Sequence, residues 1–197
     1  MSLTEIISKP LLRGTVVASG RWQAILARAN RRVYPFDLGC MVRSLSTGTT
    51  VNTHGLGEFA VNDYFIVCSP VDYGDSALFI PDMGKIGRIA AVSASDDVLT
   101  IDAALSLDSG DYLLNLGSDR AATPKTNPNF DGSPITLYTD PVGNNTNPNE
   151  YLVTGQGGWF QGWILEGYPA MDLLITDESG SPLVALPLYT PGPELIP

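Results

Sequence analysis

An all-β fold is predicted by three observations: Gly 20 and Pro 15 among 197 residues, only 16% charged residues, and short β-branched or aromatic runs bounded by Gly, Asp, Ser and Pro clusters. Turn residues at that density punctuate short strands rather than long helices. With 44% hydrophobic residues, a chain of this length buries roughly 70% of its unfolded surface and holds a core without staples, which argues against disorder. The expected order is an N-terminal extended arm over 1–35, a small β-barrel or sandwich over 36–120, a linker over 121–134, and a C-terminal antiparallel β-sandwich with a Pro-rich tail over 135–197.

The arm scatters Leu3, Ile6, Ile7, Leu11, Leu12, Val16 and Val17 among Pro10, Gly14 and Gly20, a pattern too broken for a long helix. Trp22, Ile25, Leu26 and Ala29 fall at helical spacing, but Gly20 before them and the run Arg31-Arg32-Val33-Tyr34-Pro35 after them limit any helix to a turn or two. In the middle region the predicted strands are Phe59 to Cys68, Ala77 to Ile80, Ile86 to Val92, Val98 to Ile101 and Tyr112 to Leu116. Gly87 to Val92 and Val98 to Asp102, joined at Asp96-Asp97, form a predicted hairpin. Asn62-Asp63-Tyr64 and Gly110-Asp111-Tyr112 echo each other, each setting a turn-capping Asp before an aromatic strand start.

Arg120 to Pro134 holds Pro124, Pro128, Gly132 and Pro134 with little that is apolar besides Phe130, and reads as the linker. Beyond it the predicted strands are Ile135 to Thr139, Tyr151 to Thr154, Trp159 to Leu165, Met171 to Asp177 and Leu183 to Leu188. Their number and spacing fit an antiparallel sandwich. Strand alternation sets Trp159 and Trp163 on one face and Phe160 and Gly162 on the other. Phe160 reads as core. Trp159, Trp163 and nearby Tyr168 fit either a face covered by a neighbouring subunit or a surface for sugars or a partner.

The net charge of −10 disfavours nucleic acid as a partner, because a phosphate backbone demands a cationic surface. The charge is polarised along the chain. Residues 1–36 carry Lys9, Arg13, Arg21, Arg28, Arg31 and Arg32 against Glu5 alone, whereas residues 126–197 carry acids and no Lys or Arg. Arg13, Arg21, Trp22, Arg28, Arg31 and Arg32 are therefore candidate contacts for an acidic partner, or for the acidic body of this chain or another copy. No apolar run reaches the roughly 18 residues of a membrane helix, so no membrane is expected as a partner. Met1 to Lys9 does not read as a signal peptide, which points to synthesis and assembly in a reducing cytoplasm.

Residues that could carry chemistry are sparse. His54 is the one histidine, in the polar segment Thr49 to Gly57, and reads as a loop residue rather than a catalytic base. Cys40 and Cys68 read as two free buried thiols; with His54 they match no zinc spacing, and no metal or other cofactor is expected. The pairs Asp72/Asp75 and Asp96/Asp97 suggest a glycosidase or calcium site, yet each lies where a turn is expected. No phosphate-binding glycine motif occurs. Asn144-Asn145-Thr146 matches a glycosylation acceptor, which has no use without secretion. The chain is expected not to be an enzyme.

The run Ile135-Thr136-Leu137-Tyr138-Thr139-Asp140, then Gly157-Gly158-Trp159-Phe160-Gln161-Gly162-Trp163-Ile164, Gly167-Tyr168 and Asp172-Leu173-Leu174-Ile175-Thr176-Asp177 resembles the transthyretin-like or immunoglobulin-like modules of tailed-bacteriophage virion proteins. The middle region, with Gly-Arg-Ile-Ala-Ala-Val and its Gly-Asp-Tyr strand start, is similar to small β-barrel modules of phage head and tail proteins. The resemblance covers about residues 59–188. It implies a capsid cement or decoration protein, located in the virion, forming dimers or trimers and contacting the major capsid protein or another virion protein. The alternatives are a tail, baseplate or head-fibre adaptor, or a carbohydrate-binding host-attachment module.

Overall fold

The computed structural model describes residues 11–15, 28–71, 78–118, 135–139, 145–149, 151–164 and 170–189. In chain order the strands are β1 (Leu11–Thr15), β2 (Arg32–Phe36), β3 (Cys40–Val42), β4 (Thr50–His54), β5 (Tyr64–Val71), β6 (Leu78–Ser93) and β7 (Val98–Ile101). There follow β8 (Tyr112–Gly117), β9 (Leu137–Tyr138), β10 (Leu152–Val153), β11 (Trp159–Ile164), β12 (Met171–Thr176) and β13 (Pro182–Tyr189). All pairings are antiparallel, and the chain is all-β.

Six strands close on themselves. β5 pairs with β6 and β8, β8 with β3, β3 with β4, β4 with β7, and β7 returns to β6. A ring of ladders leaves no unpaired edge, so this is a small barrel. Alternation along each strand fills its interior with Cys40, Val42, Val51, Phe65, Val67, Ile89, Leu99, Ile101 and Leu113, all buried. The hairpin expected at Asp96-Asp97 is the β6–β7 pair, running from Ile89 opposite Ile101 to Ser93 opposite Val98.

Turn chemistry launches the two barrel strands that lie side by side. The Asp63 carboxylate accepts the Ala60 N–H at 2.7 Å before β5, and the Asp111 carboxylate accepts the Asp108 N–H at 2.9 Å before β8. Each Asp thereby satisfies a turn donor that the ladder cannot reach.

β6 belongs to both halves of the molecule. The sequence divides it into two strands, since Pro81-Asp82-Met83-Gly84-Lys85 looks like a turn, but the strand bends there and continues. The irregularity lies where Ile66 opposes Ile86 and Val67 opposes Asp82, and the Asp82 carboxylate accepts the Gly84 N–H at 2.9 Å. Beyond the bend β6 serves the barrel; before it, Phe79 opposes Ala185 of β13.

From that contact the large sheet runs on through β13, β12, β2 and β10. A second sheet, β1-β11-β9, packs over it, and Val33, Leu137, Phe160, Ile164, Leu173, Ile175 and Val184 fill the space between. The other face of β2, β12 and β13 contributes Tyr34, Phe36, Leu174 and Ala185 to a core shared with the outside of the barrel, including Ile66, Cys68, Tyr112 and Leu114. β12 is consequently buried on both faces along its whole length.

The described strands of the first 36 residues belong to the sandwich rather than to a separate arm. β1 pairs with β11, and β2 lies between β10 and β12, so two N-terminal strands complete the C-terminal sandwich. Val33 opposite Ile175 and Tyr34 opposite Leu174 show why: β2 carries apolar residues on each face of the sheet, Val33 on one and Tyr34 and Phe36 on the other. The helix-spaced residues up to Leu26, the linker 121–134 and the tail 190–197 lie outside the described residues.

Candidate functional site

The principal polar feature of the interior is at the seam between barrel and sandwich. Asp172 occupies the second position of β12, in Met-Asp-Leu-Leu-Ile-Thr, and alternation turns it toward the barrel with Leu174 and Thr176. Its carboxylate is fully buried and accepts the Tyr112 hydroxyl, at 2.8 and 3.0 Å to its two oxygens, and the Gly39 N–H at 2.8 Å. Burial, together with the charge of Asp172, pushes the Tyr112 phenol far above its ordinary pKa. The phenol therefore stays protonated and donates.

Gly39 has no alternative at this place. A Cβ there would overlap the Leu113 carbonyl oxygen and approach Tyr112 Cε1 to 2.9 Å, so only glycine brings its N–H to Asp172. None of Asp172, Tyr112 or Gly39 was singled out from the sequence as a site residue. The available signal was an Asp inside an apolar strand, which must find donors if it is buried.

The two thiols lie on opposite faces of the barrel wall. Cys40 opposes Leu113 and joins the barrel interior, whereas Cys68 opposes Tyr112 and joins the seam. Both are free and buried, as expected from the sequence. Burial pushes the Cys40 thiol up to about 12 and that of Cys68 well above its ordinary value, so neither forms a thiolate at neutral pH. His54 is not in a loop: it ends β4, exposed, opposite Met41. Among the described residues no three His, Cys, Asp or Glu side chains gather as a metal site.

Asp96 and Asp97 form the β6–β7 turn, where Ser93 and Ser95 hydroxyls donate to the Asp96 carboxylate and hold its pKa below the usual range. Asp72 and Asp75 lie outside the described residues. Of the proposed cationic contacts, Arg13 is opposite Gln161 in the β1–β11 register, and Arg28 is exposed with its carbonyl accepting the Thr154 hydroxyl at 2.9 Å. Arg31 donates its N–H to the Thr154 hydroxyl at 3.0 Å. The Arg32 guanidinium sits 4.9 Å from the centre of the Tyr151 ring, and hydrogen bonding with Tyr34 raises its pKa. Arg21 and Trp22 lie outside the described residues.

A second surface lies on the outer face of β11. Gly157 and Gly158, at φ 79° and 76°, make the tight turn that launches the strand, and the Gly155 N–H closes it on the Trp159 carbonyl at 2.7 Å. Trp159 is 58% exposed, Gln161 is exposed and Trp163 is half-buried on the same face, while Phe160, Gly162 and Ile164 turn inward. The structure adds Tyr138, which opposes Trp163 from β9. Tyr168 lies outside the described residues. Comparison of the chain with protein-family models, curated proteins and solved structures finds no match.

Proposed function

We propose that this chain is a non-enzymatic structural protein of a tailed-phage virion that decorates or cements the capsid by contacting the major capsid protein, as a dimer or trimer. The observation that carries the reading is the seam. A barrel and a sandwich share β6 and are pinned by the buried Asp172, so the polar groups of the interior serve cohesion. Three further features support it: the buried, protonated thiols, the turn role of Asp96, and the resemblance to phage β-modules. The test is the copy number of the chain in purified virions, by quantitative mass spectrometry against the major capsid protein. A ratio near one or a simple fraction of it supports cement; a few copies per particle supports a tail, baseplate or head-fibre adaptor. Particles that lack the chain and keep full stability to heat and low salt overturn the cement reading.

A carbohydrate-binding role in host attachment is the second reading, favoured by exposed Trp159 beside Gln161 and Trp163. Indole faces stack on sugars while an amide supplies directional hydrogen bonds. Glycan-array binding that a Trp159→Ala, Trp163→Ala double variant loses supports this reading, and absence of binding to any host glycan rejects it.

A further inference from the structure

Among the described residues the sandwich covers part of the barrel's outer wall, and beside that cover there is a recess of about 320 Å³. Its walls include Gly39, Met41, His54, Phe79, Tyr112 and Pro187. The register explains its position. His54 opposes Met41, Met41 opposes Tyr112, and Tyr112 opposes Cys68, which makes one row of side chains across β4, β3, β8 and β5. Directly opposed residues share a face of the sheet. At the β5 end of the row Cys68 is fully buried, but at the other end Met41 is 37% exposed and His54 is exposed.

The chemistry of the walls is uneven. The Phe79 and Tyr112 rings lie 5.4 Å apart at 51°, and Pro187 and the Met41 thioether add apolar surface. The polar groups at the back are already engaged, since both the Tyr112 hydroxyl and the Gly39 N–H donate to Asp172. That leaves the imidazole of His54, on the exposed rim, to serve a ligand as donor or acceptor. The volume falls at the lower end of the roughly 300–1,000 Å³ of small-molecule sites, which admits one ring or two fused rings. Methionine suits such a wall, because its unbranched, polarisable side chain adapts to an aromatic edge.

We propose that this recess binds a small aromatic molecule bearing one hydrogen-bonding group, of the phenol or indole class, with its ring against Phe79, Tyr112 and Met41 and its polar group at His54. The site is independent of the structural role proposed above. Titration of the full chain with phenol and with indole, followed by backbone amide NMR, tests it. Saturable shifts centred on Cys40–Val42 and Thr50–His54 are expected. Met41→Trp fills the recess and abolishes them, Met41→Leu retains them, and His54→Ala weakens binding roughly two- to tenfold, the weight of one hydrogen bond. Because Met41 and His54 are exposed, thermal unfolding of each variant verifies that the fold is retained. Absence of saturable shifts up to about 10 mM, a ceiling of weak affinity, overturns the proposal. So does binding that Met41→Trp leaves intact, or that His54→Ala leaves unweakened.

Discussion

The Tyr112 hydroxyl reaches both carboxylate oxygens of Asp172, at 2.8 and 3.0 Å, and so joins a barrel strand to the doubly buried strand of the sandwich. Hydrophobic burial alone would press these two surfaces together without fixing their register. A buried carboxylate with two dedicated donors fixes it, since any slip leaves a charge unsatisfied.

Removal of the hydroxyl therefore costs more than its own net contribution. Tyr112→Phe is expected to destabilise the chain by about 1–3 kcal/mol, because Asp172 keeps only the Gly39 N–H of this pair of donors. Asp172→Ala, which strands two buried donors and opens a cavity, is expected to cost about 3–5 kcal/mol. Urea unfolding of both variants measures the difference, and equal midpoints for wild type and Tyr112→Phe would sink the account of the seam.

The close approach at Gly39 gives a paired prediction. Gly39→Ala drives a methyl group into the Leu113 carbonyl and is expected to cost about 3 kcal/mol or more. Gly48, around which a Cβ meets nothing within 4 Å, is the control. Gly48→Ala is expected to stay within about 0.5 kcal/mol of wild type by thermal unfolding.

The Asp turns before β5 and β8 differ in depth. Asp111 accepts both the Asp108 N–H and, at 3.0 Å, the Ser69 hydroxyl, whereas Asp63 takes the Ala60 N–H. Both alanine variants are expected to lose stability, by about 1 kcal/mol for Asp63→Ala and more for Asp111→Ala. Denaturant midpoints that rank them in the opposite order would contradict this.

The thiols should be silent in the folded chain. Ellman's reagent is expected to find neither Cys40 nor Cys68 at pH 8 until denaturant is added, and then to find both. The same burial makes alkali destabilising: the unfolded thiol of Cys40 ionises from its ordinary value of 9.0, while the folded one waits until about 12. Across that window the folded state holds the extra proton, so the contribution of Cys40 is complete below pH 9 and is lost as pH rises toward 12.

Asp37 acts with the same sign at acid pH. Burial raises its pKa above 3.8, and the acids Glu58 and Asp63 raise it further, so its contribution to stability is complete below 3.8 and falls as pH rises through the folded value. Asp37→Asn is expected to raise the denaturant midpoint at pH 7 and to lose that advantage below pH 3.8. A variant less stable than wild type at pH 7 would show that the carboxylate has a stabilising partner instead.

What could be read from the sequence followed from period and turn chemistry. Val98–Ile101 has strand ends matching the expectation, and the alternation of Trp159 to Ile164 separates an inner from an outer face. The echo of Asp63 and Asp111 identified two turn caps by composition alone. β2 was hidden because Arg31-Arg32 and Pro35 look like a helix stop, and it is the pairing with Asp172 to Thr176 on one side and Leu152-Val153 on the other that makes that stretch a strand. β4 was hidden because Thr50-Val51-Asn52-Thr53-His54 has one apolar residue; Val51 and Thr53 are buried all the same. The seam was illegible for a deeper reason. Gly39, Tyr112 and Asp172 are brought together by two strands and a loop remote in sequence, and no local pattern encodes their meeting.

The N-terminal strands have a consequence for how the chain is made. A ribosome that has released the chain as far as Gly117 has supplied every strand of the barrel, which can close at once. β1 and β2 have by then long emerged, and their partners β10, β11 and β12 are still to be synthesised. Through that interval two strands stand open to any neighbouring nascent chain. Truncation after Gly117 would thus orphan β1 and β2, and deletion of residues through Phe36 would take two strands out of the sandwich.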